Sequence, residues 1–277
     1  MSSTRSRYAV FGNPVGHSKS PWIHARFAAQ TGQQLSYEAI CAPVDGFPGA
    51  VRAFFENGGA GANVTVPFKL QAYELAAADL SPRARAAGAV NTLWLDAAGL
   101  LHGCNTDGVG LVADLRRLDA PLAGARVLVA GAGGAARGIL LPLIEAGCRS
   151  LHIANRTPER ARELAAAFGQ HDVPVHGGGY AELPAGHGWD LVLNATASSL
   201  EDAAPPLPAG AYAPGALAYD LMYGARPTRF MRQAGEAGAR TADGLGMLVA
   251  QAAESFFIWR GVRPDAAPVL AELRSTF

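Results

Sequence analysis

The 277-residue chain is 49% hydrophobic and 17% charged, and its 23 Lys and Arg residues balance 23 Asp and Glu, so it carries no formal net charge. This composition excludes a disordered chain and gives no reason to expect nucleic acid or a membrane as partner, while the length allows two domains. Cys41, Cys104 and Cys148 show no metal spacing and fit a reduced, cytoplasmic protein; no apolar run reaches the roughly 18 residues that cross a bilayer, and MSSTRSRYAVFG has no apolar signal core.

In chain order, Tyr8–Gly12 reads as a strand turned by Asn13-Pro14. The polar loop 15–21 leads to a helix at Trp22–Thr31, with Pro21 at its first position, Ser20 as its cap and Gly32 ending it. A strand at Leu35–Cys41, a helix at Phe47–Glu56 and a third strand at Ala62–Val66, stopped by Pro67, follow. Lys69–Ala78 and Ser81–Ala87 read as helices, and Ala89–Leu95 and Leu100–His102 as strands. This alternation of strand and helix predicts a mostly parallel α/β sheet. Asn105-Thr106-Asp107-Gly108 then breaks the rhythm ahead of a helix at Val109–Arg117.

The stretch Arg126–Gly138, RVLVAGAGGAARG, is a buried strand, a glycine turn and the approach to a helix over Arg137–Ala146. In that context G-x-G-x-x-G/A reads as a Rossmann-type dinucleotide site: Gly131 for the turn, Gly133 for close approach to the pyrophosphate, Ala136 for helix–sheet packing. The next strand, Ser150–Ala154, ends in Asn155-Arg156-Thr157-Pro158, with no acid to hold a ribose 2′-OH. Arg156 and Arg160 suit a 2′-phosphate instead, because guanidinium binds phosphate bidentately. Solvated arginines at a helix start are the plainer alternative. Further on, Arg160–Phe168 reads as a helix, Val173–His176 as a strand, Gly177-Gly178-Gly179 as a turn, and Asp190–Ala195 as a strand with the polar tip Thr196-Ala197-Ser198-Ser199. The residues 203–213 read as irregular loop, Leu217–Leu221 as a strand leading into Met222-Tyr223-Gly224, and Leu245–Arg260 and Ala266–Arg274 as helices. Asp243-Gly244-Leu245-Gly246 repeats the pattern of Asp107-Gly108-Val109-Gly110, and these helix openings mark where the chain would cross between domains. Residues 108–245 then form a nucleotide domain, and 1–107 with 246–277 the other; chance similarity of two helix caps is the alternative.

Hydride transfer to a carbonyl needs a proton donor and a grip on the remaining polar groups. Lys69 is the suggestive donor, since the dipole at a helix start disfavours a cation and lowers the cost of losing its proton. By position alone it also fits a solvated lysine, and Asp107 a helix cap. The hydroxyls of Ser18, Ser20 and Thr65 suit a carboxylate or ring hydroxyls, His17 is a weaker candidate, and the scattered histidines show no metal spacing.

The strings FGNPVGHSKSP, GANVTVPFK, AGAVNT, NTDGVG, GAGGAARG, NRT and DGLGMLVAQAAESF, in this order, resemble the shikimate dehydrogenase family from Tyr8 to about Val262. The resemblance implies an open α/β substrate domain facing a Rossmann domain across a cleft, and NADP-dependent reversible reduction of 3-dehydroshikimate to shikimate. It implies that Lys69 is catalytic with Asp107 as partner. Ser18 and Ser20 would hold the substrate carboxylate, with Tyr223 near it, and Thr65, Asn91 and Gln251 the ring hydroxyls. Gly131, Ala132, Gly133, Gly134, Ala135 and Ala136 would cradle the diphosphate; Asn155, Arg156, Thr157 and Arg160 would hold the 2′-phosphate. Met222, Gly244 and Met247 would lie at the nicotinamide, near the tip at Thr196.

Two departures stand out. Cys104 occupies HGCNTD where an acid, glycine or aromatic is expected, and the strand tip reads NATASS rather than NATSSG. Competing readings are a paralogue that oxidises quinate or prefers NAD, a non-catalytic NADP-binding protein on the same scaffold, and a broader NADP-dependent ketone reductase. The expected state is a monomer or homodimer.

Overall fold

The computed structural model describes residues 5–277; residues 1–4, which open the N-terminal stretch and the expected 1–107 segment, lie outside the described residues. The chain divides into two compact units: residues 5–110 with Val249–Thr276, and Leu111–Leu248 with Phe277. Both boundaries fall inside helices, α5 (Asp107–Arg117) and α9 (Leu245–Arg260), three residues beyond the crossings read from the sequence.

The first unit carries β1 (Ser6–Gly12), α1 (Ser20–Thr31), β2 (Leu35–Cys41), α2 (Phe47–Glu56), β3 (Gly59–Val64), α3 (Lys69–Leu75), β4 (Asp79–Leu80), α4 (Pro82–Ala87), β5 (Thr92–Leu95) and β6 (Leu101–Cys104), and later α10 (Ala266–Arg274). Its sheet runs β2-β1-β3-β5-β6-β4. β1 pairs with β2 and β3 in parallel, whereas β3–β5 and β5–β6 are antiparallel. The sheet is mostly parallel as expected, β4 also pairing with β6 in parallel, and its antiparallel part is the β5–β6 hairpin around Asp96–Gly99 set against β3. The core centres on Phe11 of β1, Phe47 and Phe54 of α2 and Phe68 just before α3, all buried. The third strand starts earlier than expected and stops at Val64, and α3 ends at Leu75, freeing Asp79–Leu80 to pair with β6.

The second unit contains β7 (Arg126–Ala130), α6 (Gly134–Glu145), β8 (Ser150–Ala154), α7 (Pro158–Ala166), β9 (Val175–Gly178), β10 (Trp189–Asn194), β11 (Tyr212–Asp220), α8 (Arg229–Glu236) and β12 (Arg240–Asp243). All six strands are parallel, in the order β12-β11-β10-β7-β8-β9. This is the doubly wound order, with its topological switch between β7 and β10. Val127–Ala130 are fully buried, as a strand covered on both faces requires.

Three local expectations change. Gly177 and Gly178 belong to β9 rather than to a turn: a Cβ on Gly177 would run into the Ala161 carbonyl, so glycine lets α7 lie against the strand edge. β11 begins at Tyr212, inside the stretch read as loop: Tyr212 pairs with Trp189, and the register then shifts so that Leu217 pairs with Leu191. α8 and β12 were not foreseen; α8 is capped by Thr228, whose hydroxyl accepts from Met231 N–H.

Candidate functional site

β3 ends at Val64, and the chain turns through Thr65-Val66-Pro67 into α3. Phe68 is fully buried and stacks on Phe47 with centroids 4.5 Å apart, which fixes Lys69 where it leaves the core. Lys69 Nζ donates to Asp107 Oδ2 at 2.6 Å; the side chains are 30% and 14% exposed, so the pair is shielded yet reachable. Asn91 Nδ2 donates to Asp107 Oδ1 at 2.8 Å and to Thr106 Oγ1 at 3.0 Å, while its Oδ1 accepts from Thr106 N–H at 2.9 Å. The backbone donor fixes which way the amide faces. Gln251 joins through Thr106 Oγ1, 3.2 Å from Gln251 Oε1. Lys69, Asp107, Asn91 and Gln251 thus form one hydrogen-bonded cluster.

Behind this cluster lies a buried polar layer that sequence reasoning missed. Asn63 Nδ2 donates to the Asn91 carbonyl and to Ser255 Oγ, both at 3.0 Å, and Thr92 Oγ1 donates to Asn91 Oδ1 at 2.9 Å. Tyr37 donates to Asn63 Oδ1 at 2.7 Å, with the Ser20 hydroxyl beside the same phenol. Its one sequence signal is a polar Asn63 flanked by buried Ala62 and Val64 on a central strand. Burial holds the Tyr37 phenol well above its usual range and pushes His24, stacked on it at 4.3 Å, down to about 3. Ser20 is not the cap of α1 but a buried first residue of it, and Ser18 Oγ accepts its N–H at 3.2 Å. Ser18 and Thr65 are half-buried and His17 is exposed. Cys104 is buried behind Asn91, its carbonyl accepting from Asn91 N–H at 3.0 Å.

In the second unit the expected cofactor residues gather at the carboxyl edge of the parallel sheet, where ligands bind in such folds. Gly131 follows β7 with φ +108°, and a Cβ there would lie 3.0 Å from the Ala195 carbonyl, so only glycine serves. Gly133 precedes α6 without a side-chain cap, and a Cβ on Gly133 or Gly134 would meet nothing within 4 Å. Those glycines leave space over a helix start with unsatisfied N–H groups, as a diphosphate requires. Ala135 is exposed and Ala136 buried. Gly131 N–H donates to the Ala154 carbonyl at 2.7 Å, which sets this turn beside the tip of β8. From that tip Asn155 Nδ2 donates to the Thr157 carbonyl at 3.0 Å, and Arg156 and Arg160 stand exposed. Arg162 on the same helix is paired with Glu159 and Glu182, whereas neither Arg156 nor Arg160 meets a carboxylate among the described residues. An all-donor, unneutralised pair fits a 2′-phosphate.

On the other side of the switch, Thr196 Oγ1 donates to Asn194 Oδ1 at 2.6 Å. Gly244 N–H donates to the Met222 carbonyl at 3.0 Å, and Met247 N–H to the Tyr219 hydroxyl at 3.3 Å. Tyr223 packs edge-on to Phe277, and burial and nearby Asp243 raise its phenol pKa. The three cysteines are free, and among the described residues no His, Cys, Asp or Glu cluster could hold a metal and no helix is long and apolar enough to cross a membrane.

Three family models match successive stretches: the shikimate dehydrogenase substrate binding domain over residues 10–93, shikimate / quinate 5-dehydrogenase over 114–201, and the shikimate 5'-dehydrogenase C-terminal domain over 244–274. The shikimate dehydrogenase (NADP(+)) of Bordetella petrii is 63% identical, with 100% of this chain and 98% of that one covered. The chain belongs to the shikimate dehydrogenase family. Among solved structures, the Ael1 enzyme of Pseudomonas putida is 47% identical with a TM-score of 0.90, covering 97% of this chain and 98% of that one. The shikimate 5-dehydrogenase of Thermus thermophilus, solved with NADP(H) and shikimate, is 37% identical with a TM-score of 0.85, covering 98% and 100%. The Lys69–Asp107 cluster is thus built within the unit that contains the family's substrate-binding-domain match, and the glycine turn within the unit that contains the shikimate / quinate match.

Proposed function

We propose that this member of the shikimate dehydrogenase family is the NADP-dependent enzyme that reversibly reduces 3-dehydroshikimate to shikimate, serving aromatic amino-acid biosynthesis in the cytoplasm. The observation that carries the reading is the Lys69–Asp107 pair at 2.6 Å, half-shielded and held by Asn91. Residues 1–107 with 246–277 act as the substrate domain and 108–245 as the NADP domain.

NADPH, when bound, supplies the hydride. Gly131–Ala136 bind its diphosphate at the start of α6, and Asn155, Arg156, Thr157 and Arg160 hold its 2′-phosphate. Thr196, Met222, Gly244 and Met247 border the nicotinamide. As negative charge grows on the substrate carbonyl oxygen, Lys69 Nζ donates a hydrogen bond and then its proton. Asp107 aims the ammonium group and accepts from the neighbouring substrate hydroxyl. Asn91, Thr65 and Gln251 sort the ring hydroxyls, and Ser18 and Ser20, with Tyr223 nearby, hold the carboxylate.

Oxidation of shikimate and of quinate, each with NADP+ and with NAD+, tests the reading. Turnover of shikimate with NADP+ well above the other three combinations supports it. Comparable rates on quinate or with NAD+ favour a broader paralogue, and no turnover with any pair favours a non-catalytic NADP-binding role.

A further inference from the structure

The tip of β11 carries two buried polar residues that the proposed chemistry leaves without a role. Tyr219 and Asp220 are adjacent, point to opposite faces of the sheet as strand neighbours must, and are both 0% exposed. On one face the Tyr219 hydroxyl donates to Asp114 Oδ2 at 2.7 Å and accepts from Met247 N–H at 3.3 Å. Arg117 Nε donates to the other Asp114 oxygen at 2.7 Å, so Asp114 accepts on both oxygens, one of them from the Tyr219 phenol. On the opposite face Asp220 Oδ2 accepts from Ser199 Oγ and Thr228 Oγ1, both at 2.7 Å, and from Asn194 Nδ2 at 3.1 Å. Its Oδ1 accepts from Met222 N–H at 3.0 Å.

One strand tip therefore grips two backbone segments, at Met222 and at Met247, from opposite sides. Asp220 also ties in the loop after β10, through Ser199, and with it the neighbourhood of Thr196. The Asp220 side chain, buried among four donors, and the Tyr219 phenol, bridging Asp114 to a helix start, form fully hydrogen-bonded networks that hold the segments they touch in one geometry. We infer that Tyr219 and Asp220 are positioning residues that hold Met222 and Met247 in register for the nicotinamide half of NADP, without touching the adenosine half. The inference rests on the proposed reading of Met222 and Met247 as nicotinamide neighbours.

Two near-isosteric variants test it: Tyr219→Phe, which leaves Met247 N–H without its acceptor, and Asp220→Asn, which puts an amide among donors. The probes are NADPH and adenosine 2′,5′-bisphosphate, which keeps the 2′-phosphate but lacks the nicotinamide. Displacing the reacting ring predicts that kcat for shikimate oxidation falls about tenfold or more. NADPH affinity falls with it, while the Kd of adenosine 2′,5′-bisphosphate and the KM of shikimate stay within about twofold. Folded variants that lose both probes equally, or that keep wild-type kcat and NADPH affinity, overturn the inference. Tyr219→Phe removes only one hydroxyl and decides the matter by itself where Asp220→Asn does not fold. A wild-type protein that binds neither probe overturns the NADP reading itself, a result distinct from either of these.

Discussion

Replacing Lys69 with alanine separates catalysis from architecture sharply at this site. The lysine is 30% exposed, and Asp107 keeps Asn91 Nδ2 at 2.8 Å as a second donor once the ammonium is gone. The lost ion pair is then of the partly solvated kind, contributing about 1 kcal/mol or less to stability. Proton donation in the transition state contributes about 10²–10⁴-fold in rate, which at about 1.36 kcal/mol per decade is some 3–5 kcal/mol of barrier. The catalytic loss must therefore exceed the folding loss severalfold. Lys69→Ala should lower kcat by that factor while moving the shikimate KM far less, since the missing interaction is strongest in the transition state. Asp107→Asn should also lower kcat severely, because an amide offers one neutral acceptor oxygen to the two donors, the Lys69 ammonium and Asn91 Nδ2, that the carboxylate serves, while NADP binding persists. Steady-state kinetics of shikimate oxidation, with circular dichroism and thermal melts on the same preparations, reads both. A folded Lys69→Ala enzyme that retains more than a tenth of the wild-type kcat refutes the assignment and sends the search for the donor to His17.

Arg156→Ala should weaken NADPH binding at least tenfold, a charge-assisted phosphate contact being worth about 1.5–3 kcal/mol, and leave NADH binding nearly unchanged; equal losses for the two cofactors would remove the 2′-phosphate assignment. Ser18→Ala and Ser20→Ala should each raise the shikimate KM, at roughly 1 kcal/mol or more per lost hydroxyl, with a smaller effect on the NADP KM; a substrate analogue lacking the carboxylate but turned over as well as shikimate would give these serines another role. Acid should destabilise the first unit through His24, whose folded pKa of about 3 lies below the unfolded value of 6.5. The unfolded chain then binds the extra proton, so the stability this group contributes is complete above pH 6.5 and lost as pH falls toward 3. At pH 5 that loss is about 2 kcal/mol, and urea unfolding of wild type and His24→Phe at pH 7.5 and 5 checks it: the variant should lose correspondingly less on acidification, and identical pH dependence in the two would show that His24 is not the group.

The parallel sheet of the second unit was legible because burial on both faces leaves an unbroken apolar signature, as in Val127–Ala130 and Leu191–Leu193. The glycine turn was legible because the φ of +108° at Gly131 and its approach to the Ala195 carbonyl permit few other residues. What hid was structure whose cause lies far along the chain. β4 is two residues long and exists only because β6 offers it an edge. Tyr212 begins β11 amid prolines and glycines because its partner Trp189 is buried there, not because the local stretch favours a strand. The same holds for the site. Lys69 and Asp107 sit at helix openings, where position alone fits a solvated lysine and a helix cap and the family's motifs single them out, but Tyr37, Thr92 and Ser255 lie within ordinary strands and a helix and acquire meaning only when folding brings them to Asn63.

The repeated Asp-Gly-apolar-Gly pattern shows how one local solution serves two chemistries. In each copy the second glycine is where α5 and α9 approach: a Cβ on Gly110 would lie 2.6 Å from Gln251 Cβ, and one on Gly246 would overlap the Asp114 carboxylate. Close helix packing explains both glycines without reference to catalysis. The first glycine of the second copy, Gly244, must also clear the Leu221 carbonyl. The aspartates differ most. Asp243 Oδ1 accepts from Leu245 N–H at 3.2 Å, a helix-start role, whereas the Asp107 carboxylate accepts from Asn91 and Lys69 and its own N–H donates to Asn105 Oδ1 at 3.0 Å. The backbone of Asp107 is thus capped by a neighbour, and its carboxylate is released from capping for the Lys69 pair. What sets the aspartate paired with Lys69 apart from the one at the helix start of the second copy is therefore the Asn105 side chain two residues earlier, a position occupied in the second copy by Thr241.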